Sequence, residues 1–223
     1  MKNLTKFTIL AVAAICIPIV CTSPANAFTP WSNSSGTAAN FDLENGGSDA
    51  NLFGNPTLTG GNTFVFFPDN FIAMSVGGEL VEVSDTLTFD LIVHTNVLIT
   101  GIQISEYGDY GILDQGLVDM SSVLTAENLI TPQTESVGLI TNPLMPVDFG
   151  TGAWSAQGGV SLNGWKHLRI TLSNNLIAIS DLDSVAFIQK KVVGDSIAIT
   201  IIPEPATIAL LAGGIACLRR KKH

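Results

Sequence analysis

Thr86-Leu87-Thr88-Phe89-Asp90-Leu91-Ile92-Val93-His94-Thr95 decides the fold class. Leu87, Phe89, Leu91 and Val93 alternate with Thr88, Asp90, Ile92 and His94, the period of two that puts one face of a strand in a core and the other in water. Similar runs occur at Thr63–Phe67, Phe71–Val76, Val97–Ser105, Leu117–Leu124, Trp165–Leu172, Ser184–Gln189 and Ser196–Ile202. Turn-forming clusters punctuate them: Asn45-Gly46-Gly47, Thr59-Gly60-Gly61-Asn62, Val76-Gly77-Gly78, Tyr107-Gly108-Asp109, Gln157-Gly158-Gly159 and Ser173-Asn174-Asn175. Helical periodicity is not sustained in any window away from the two ends. The pattern predicts an all-β domain over residues 28–202, an antiparallel β-sandwich of jelly-roll-like winding with about eight strands. Ala126 to Phe149, with Pro132, Pro143 and Pro146, reads as a long loop or an edge crossing, and Phe28 to Phe53 as a lead-in or an edge strand.

Of 223 residues, 46% are hydrophobic and 13% charged, and the formal net charge is -9. A disordered polyampholyte, a coiled coil and a nucleic-acid binder are excluded, the last because it needs a basic face. Cysteine occurs only at Cys16, Cys21 and Cys217. The predicted domain therefore has neither disulfides nor thiolate metal sites, and its core must hold it together.

The ends differ in kind from the middle. Lys2 and Lys6, the apolar run Ile9–Val20 and the Ala25-Asn26-Ala27 triplet have the order of a secretory signal peptide over residues 1–27, a short helix cleaved after Ala27 by signal peptidase. Twelve apolar residues at 1.5 Å rise cover about 18 Å, too little for a stable membrane span. At the other end, residues 203–223, Pro203-Glu204-Pro205 precede the uncharged stretch Ala206–Leu218 and then Arg219-Arg220-Lys221-Lys222-His223. Two prolines stop regular structure. The stretch after them reads as a short transmembrane helix, and the four cations hold its end in the cytoplasm.

This tripartite tail resembles the PEP-CTERM sorting signal, with Pro203, Glu204 and Pro205 as its motif and Arg219, Arg220, Lys221 and Lys222 as its basic stop. The resemblance covers only the last 21 residues. It implies recognition by a membrane-embedded exosortase, transient residence in the inner membrane, cleavage near the tripeptide, and release to the cell surface or an exopolysaccharide matrix.

Catalytic patterns are sparse. No nucleophile elbow, zinc-helix, phosphate-loop or dinucleotide motif is present, and His94 and His167 read as strand residues. Glu106-Tyr107-Gly108-Asp109-Tyr110 joins two acids and two rings on an expected turn, so Tyr107 and Tyr110 are candidate sugar contacts, with Trp154 and Trp165 as further rings. The bland alternatives are a solvated turn and core tryptophans. For calcium, Asp181 and Asp183, near Asn174 and Asn175, form one weak candidate, and Asp42, Glu44 and Asp49 another. The sequence expectation is an exported, non-enzymatic surface or matrix protein processed by an exosortase and associated with exopolysaccharide. A carbohydrate-binding module is the alternative, and a secreted glycoside hydrolase is less supported. Within 28–202 four cations face eighteen acids, a formal -14, so a neutral glycan or a calcium-bridged one fits better than a bare anionic polymer.

Overall fold

The computed structural model describes residues 28–191 and 196–204. The expected signal helix with Ala25 and Ala27, and the expected membrane helix with Pro205, Arg219, Arg220, Lys221 and Lys222, lie outside the described residues.

Every regular element among the described residues is a strand. In chain order they are β1 (Thr29–Pro30), β2 (Gly36–Thr37), β3 (Phe41–Ser48), β4 (Thr57–Thr59), β5 (Thr63–Phe66), β6 (Ile72–Val76), β7 (Leu80–Val93), β8 (Ile99–Leu113), β9 (Gly116–Asn128), β10 (Gln133–Gly138), β11 (Ile140–Asn142), β12 (Gly150–Trp165), β13 (His167–Ser180), β14 (Val185–Lys190) and β15 (Ile197–Pro203). All pairings are antiparallel. One sheet runs β1-β3-β7-β13-β9-β10, with β2 beside β3. The other runs β11-β12-β8-β15-β5-β4, while β14 pairs with both β8 and β6. The two sheets face each other across one apolar core, the sandwich arrangement in which alternate side chains of each strand point inward.

The alternation of Leu87, Phe89, Leu91 and Val93 is realised on β7, where all four are buried. From the opposite sheet Phe64 reaches between Phe41 and Phe89, with ring centroids 5.8 and 4.9 Å apart. Trp31 continues the stack to Phe66 and Phe89 at 5.4 and 5.8 Å. Such tilted and edge-on pairs add about 0.5–1.5 kcal/mol each beyond the area they bury. Asp85, 3% exposed, accepts from the backbone amides of Ala50, Leu52 and Thr86 and so ties the chain leaving β3 to β7. On the outer face of β7, Asp90 receives Arg169 Nε and Nη2 at 2.8 and 3.0 Å and Asn45 Nδ2 at 2.9 Å.

Two of the six expected turn clusters are turns: Gly60-Gly61 joins β4 to β5, and Gly77-Gly78 joins β6 to β7, all four with positive φ. Tyr107-Gly108-Asp109, Gln157-Gly158-Gly159 and Ser173-Asn174-Asn175 instead lie inside β8, β12 and β13. Asn45-Gly46-Gly47 is an irregularity within β3, where the register against β7 shifts between Glu44 and Gly47. The physical reason is close approach rather than chain reversal. A methyl group at Gly108 would overlap the Gln189 carbonyl oxygen and the Trp154 ring, and one at Gly111 the Phe187 ring. Of the two readings of Ala126 to Phe149, a long loop or an edge crossing, the structure has the second: the end of β9 is followed by β10 at the edge of the first sheet and β11 at the edge of the other, with cis peptide bonds before Pro143 and Pro146.

Gly108→Ala should lower the unfolding free energy by about 1–3 kcal/mol, the usual cost of overpacking, read as a shifted urea midpoint; an unchanged midpoint would contradict the close packing described. A second expectation concerns acid. Burial opposes ionisation of Asp90, but the hydrogen bonds from Arg169 and Asn45 outweigh it and hold the carboxyl below its ordinary value. A depressed folded pKa contributes stability that is complete above the unfolded value of about 3.9 and fades as pH falls through the folded one. Asp90→Asn should therefore flatten the stability profile below about pH 4, and equal acid slopes in variant and parent would refute this.

Candidate functional site

β8 carries polar groups on both faces of the second sheet. Its even-numbered residues Ile102, Ile104 and Glu106 point into the core, while Gln103, Ser105 and Tyr107 point out. On one side β12 places Gly159 beside Gln103 and Gln157 beside Ser105. On the other, β15 places Thr200 beside Gln103 and Ala198 beside Ser105. Small residues in the middle and longer ones around them leave an open groove of about 520 Å³ on the outer face. Tyr107, 38% exposed, stands at its edge, and Gln103 and Gln157 contribute amides. Thr200 supplies a hydroxyl, steadied by a 3.1 Å hydrogen bond with Thr63 Oγ1. None of the groove's lining residues is charged. A methyl group at Gly159 would meet the Ile102 carbonyl and the Gln103 stem, which explains a glycine there.

The inner face of the same strand is of a different character. Glu106 and Lys190 have fully buried side chains and are joined at 3.0 Å through Oε2 and Nζ. Asn174 Nδ2 donates to Glu106 Oε1 at 2.9 Å, and Ser122 Oγ donates to the same oxygen at 3.4 Å. Asn174 and Ser122 are cross-strand partners on β13 and β9, so the opposite sheet supplies both. The Lys190 ammonium position lies 5.3 Å from the Phe71 ring centre and 5.2 Å from that of Trp154. Burial pushes the Lys190 amine below its ordinary pKa, and Glu106 only partly opposes this. Asn174 Oδ1 and Trp154 Nε1 have no hydrogen-bond partner.

Of the residues expected to touch sugar, Tyr107 lines the groove and the others do not. Tyr110 is three residues along β8 and therefore on the opposite face, half-buried against the core. Trp154 and Trp165 are 2% and 5% exposed; both occupy inward positions of β12, so neither offers a ring face to a ligand. Glu106, paired with Tyr107 in the sequence reading, is sealed in the core. Gln103, Gln157 and Thr200 were not expected. Only their outward phase in an alternating strand marks them, and that phase is shared by every solvated strand residue.

Asp181 and Asp183 flank Leu182 in the turn before β14 and share a hollow of about 370 Å³ with Asp114. Asn174 and Asn175, grouped with them by sequence, are on β13 and bonded to Glu106 and Glu82. Asp42 of the second calcium candidate accepts instead from His94 Nε2 at 3.3 Å. Among the described residues no group of three or more His, Cys, Asp or Glu is placed to hold a metal ion. Of the Pro203-Glu204-Pro205 tripeptide, Pro203 ends β15 and the Glu204 amide donates to the Leu98 carbonyl at 2.8 Å.

No family model matches the chain, and no curated protein matches it. Among solved structures, it is similar to TmCBM61 in complex with beta-1,4-galactotriose, at 12% identity and a TM-score of 0.24, covering 76% of this chain and 96% of that one. It is also similar to the enzymatically active domain of bacteriophage CBA120 tailspike protein 4, at 11% identity and a TM-score of 0.25, covering 77% of this chain and 21% of the other. Likenesses this distant carry no argument about activity, so the functional reading rests on the groove.

Proposed function

We propose that the protein is an exported, non-enzymatic surface or matrix protein whose sandwich binds a neutral polysaccharide in the Tyr107 groove. The observation that carries the reading is an uncharged groove on a strongly acidic chain, walled by one exposed ring and two amides over a glycine and alanine floor. An aromatic face packs on the apolar face of a sugar ring, and amides and hydroxyls exchange hydrogen bonds with its hydroxyl groups. An open strand face also suits a chain-like ligand better than a small molecule, which prefers an enclosed cleft. Hydrolysis has less support: it calls for two carboxylates about 5–9.5 Å apart across the bond, and no carboxylate lines this groove. The winding of β7, β8 and β9 from sheet to sheet agrees with a jelly-roll-like description, a frame open to many functions.

In the same proposal the protein reaches the surface through its signal peptide and its PEP-CTERM tail, with an exosortase acting near Pro203-Glu204-Pro205. The run of strand directly into the tripeptide, without a spacer, supports a domain held against the inner membrane until release.

Binding should appear as retarded migration of the purified protein in gels containing a neutral polysaccharide such as a galactan or glucan. Tyr107→Ala should weaken it about tenfold, or about 1.4 kcal/mol; retention by no polysaccharide, or equal retention of the variant, would remove the groove reading. Sorting is tested separately. In cells lacking the exosortase the full-length form should collect in the membrane fraction, and release equal to that of the parent strain would contradict that step.

A further inference from the structure

Lys190, Glu106 and Asn174 meet inside the sandwich in an arrangement that does more than neutralise charge. One carboxylate holds an amine on one oxygen and a carboxamide on the other, at 3.0 and 2.9 Å. All three side chains are shut off from water, and two aromatic rings wall the amine. The carbonyl oxygen of Asn174 has no partner, so the carboxamide is tied down only through the nitrogen that would leave. We propose that Lys190 and Asn174 close spontaneously into an intramolecular amide bond, with Glu106 as the proton carrier.

The chemistry balances without any other reactant. A Lys190 Nζ lone pair attacks Cγ of Asn174, forming the Nζ–Cγ bond. Glu106 accepts a proton from Nζ and delivers a proton to Nδ2. The Cγ–Nδ2 bond then breaks, ammonia leaves, and the carboxyl group of Glu106 is restored. One amine and one primary amide give one secondary amide and one ammonia, with no change of oxidation state. Each part is one the interior already supplies. Desolvation favours the neutral, nucleophilic amine. A general acid–base lies within hydrogen-bond reach of both the attacking and leaving nitrogens. Fixed strands hold the reacting groups together, which replaces a bimolecular encounter with an intramolecular one. The bond would run from β13 in the first sheet to the end of β14 in the second, a covalent staple through the core of a domain that contains no cysteine.

The product is read by mass. Trypsin should cut the unlinked chain after Arg169 and Lys190, releasing residues 170–190; the linked chain resists at Lys190 and releases 170–191. The expected result is an intact purified protein lighter by one ammonia, with the loss located in the 170–191 fragment and no backbone fragment ions between the two linked residues. A wild-type protein of full mass, or an ammonia loss elsewhere with Lys190 still cleaved, overturns the proposal. Glu106→Gln, checked for a native strand spectrum, should keep the full mass, and closure as complete as in the parent would remove Glu106 from the role. Should that variant not fold, the wild-type mass still decides.

Discussion

The buried meeting of Glu106 with Lys190 is the constraint around which the middle of this sandwich is arranged. Taking a carboxylate and an ammonium out of water costs several kcal/mol per ion even after relaxation. The surrounding sequence therefore has to supply partners from both sheets. Asn174 and Ser122 come from adjacent strands of the first sheet, and Phe71 and Trp154 close over the amine. Trp154 can lie there only because its cross-strand partner on β8 is Gly108. Closing the proposed amide would replace the buried amine by a neutral N–H and leave the pair's shared proton on the Glu106 carboxyl, so that no separated charge has to be held in the core while the geometry that brought the groups together is kept.

Inside and outside of the second sheet are coupled by one strand. Because successive residues point to opposite faces, the fixing of Glu106 in the core also sets the position of Tyr107 on the surface. The groove floor of Gly159, Ser105 and Ala198 comes from β12, β8 and β15. Those are the strands laid over the polar knot, so the proposed binding face is built on rigid elements and its side chains would need little ordering on binding. The groove's neutrality also has a consequence for partner choice. A chain with a formal -14 over residues 28–202 repels polyanions at long range, whereas a neutral glycan, as proposed, would meet no such barrier and would be held by short-range contacts alone.

The all-β class was legible because it depends on local alternation, and Leu87, Phe89, Leu91 and Val93 face inward as their period requires. Glycine misled where its use is tertiary. Gly108 looks like a turn residue in isolation, yet it sits mid-strand because a tryptophan from β12 occupies the space of its side chain. The same limit applies to the site. Tyr107 could be singled out as an aromatic beside acids, but its separation from Tyr110 onto another face requires knowing that both lie on one uninterrupted strand. Glu106, Asn174 and Lys190 are far apart in the chain and belong to three strands in two sheets, so no spacing rule could have joined them. Lys190 was further disguised by its neighbour Lys191, since paired lysines ordinarily mark a solvated end.

β15 serves the groove and leads straight into the Pro203-Glu204-Pro205 tripeptide, and this limits where the proposed processing could occur without damage. Ala198 and Thr200 line the groove, and three residues later the strand ends at Pro203. The register against β8 shifts between Ile202 and Pro203, as expected where proline can donate no ladder hydrogen bond. The Glu204 amide makes one more contact, to Leu98. Scission beyond Glu204 would leave every β15 ladder bond in place, whereas scission within the strand would strip an edge from β8 and open the groove floor. On the proposed sorting route the tripeptide thus stands at the first point along the chain where the tail can be removed without cost to the groove, and Pro203, with which the strand ends, is what puts it there.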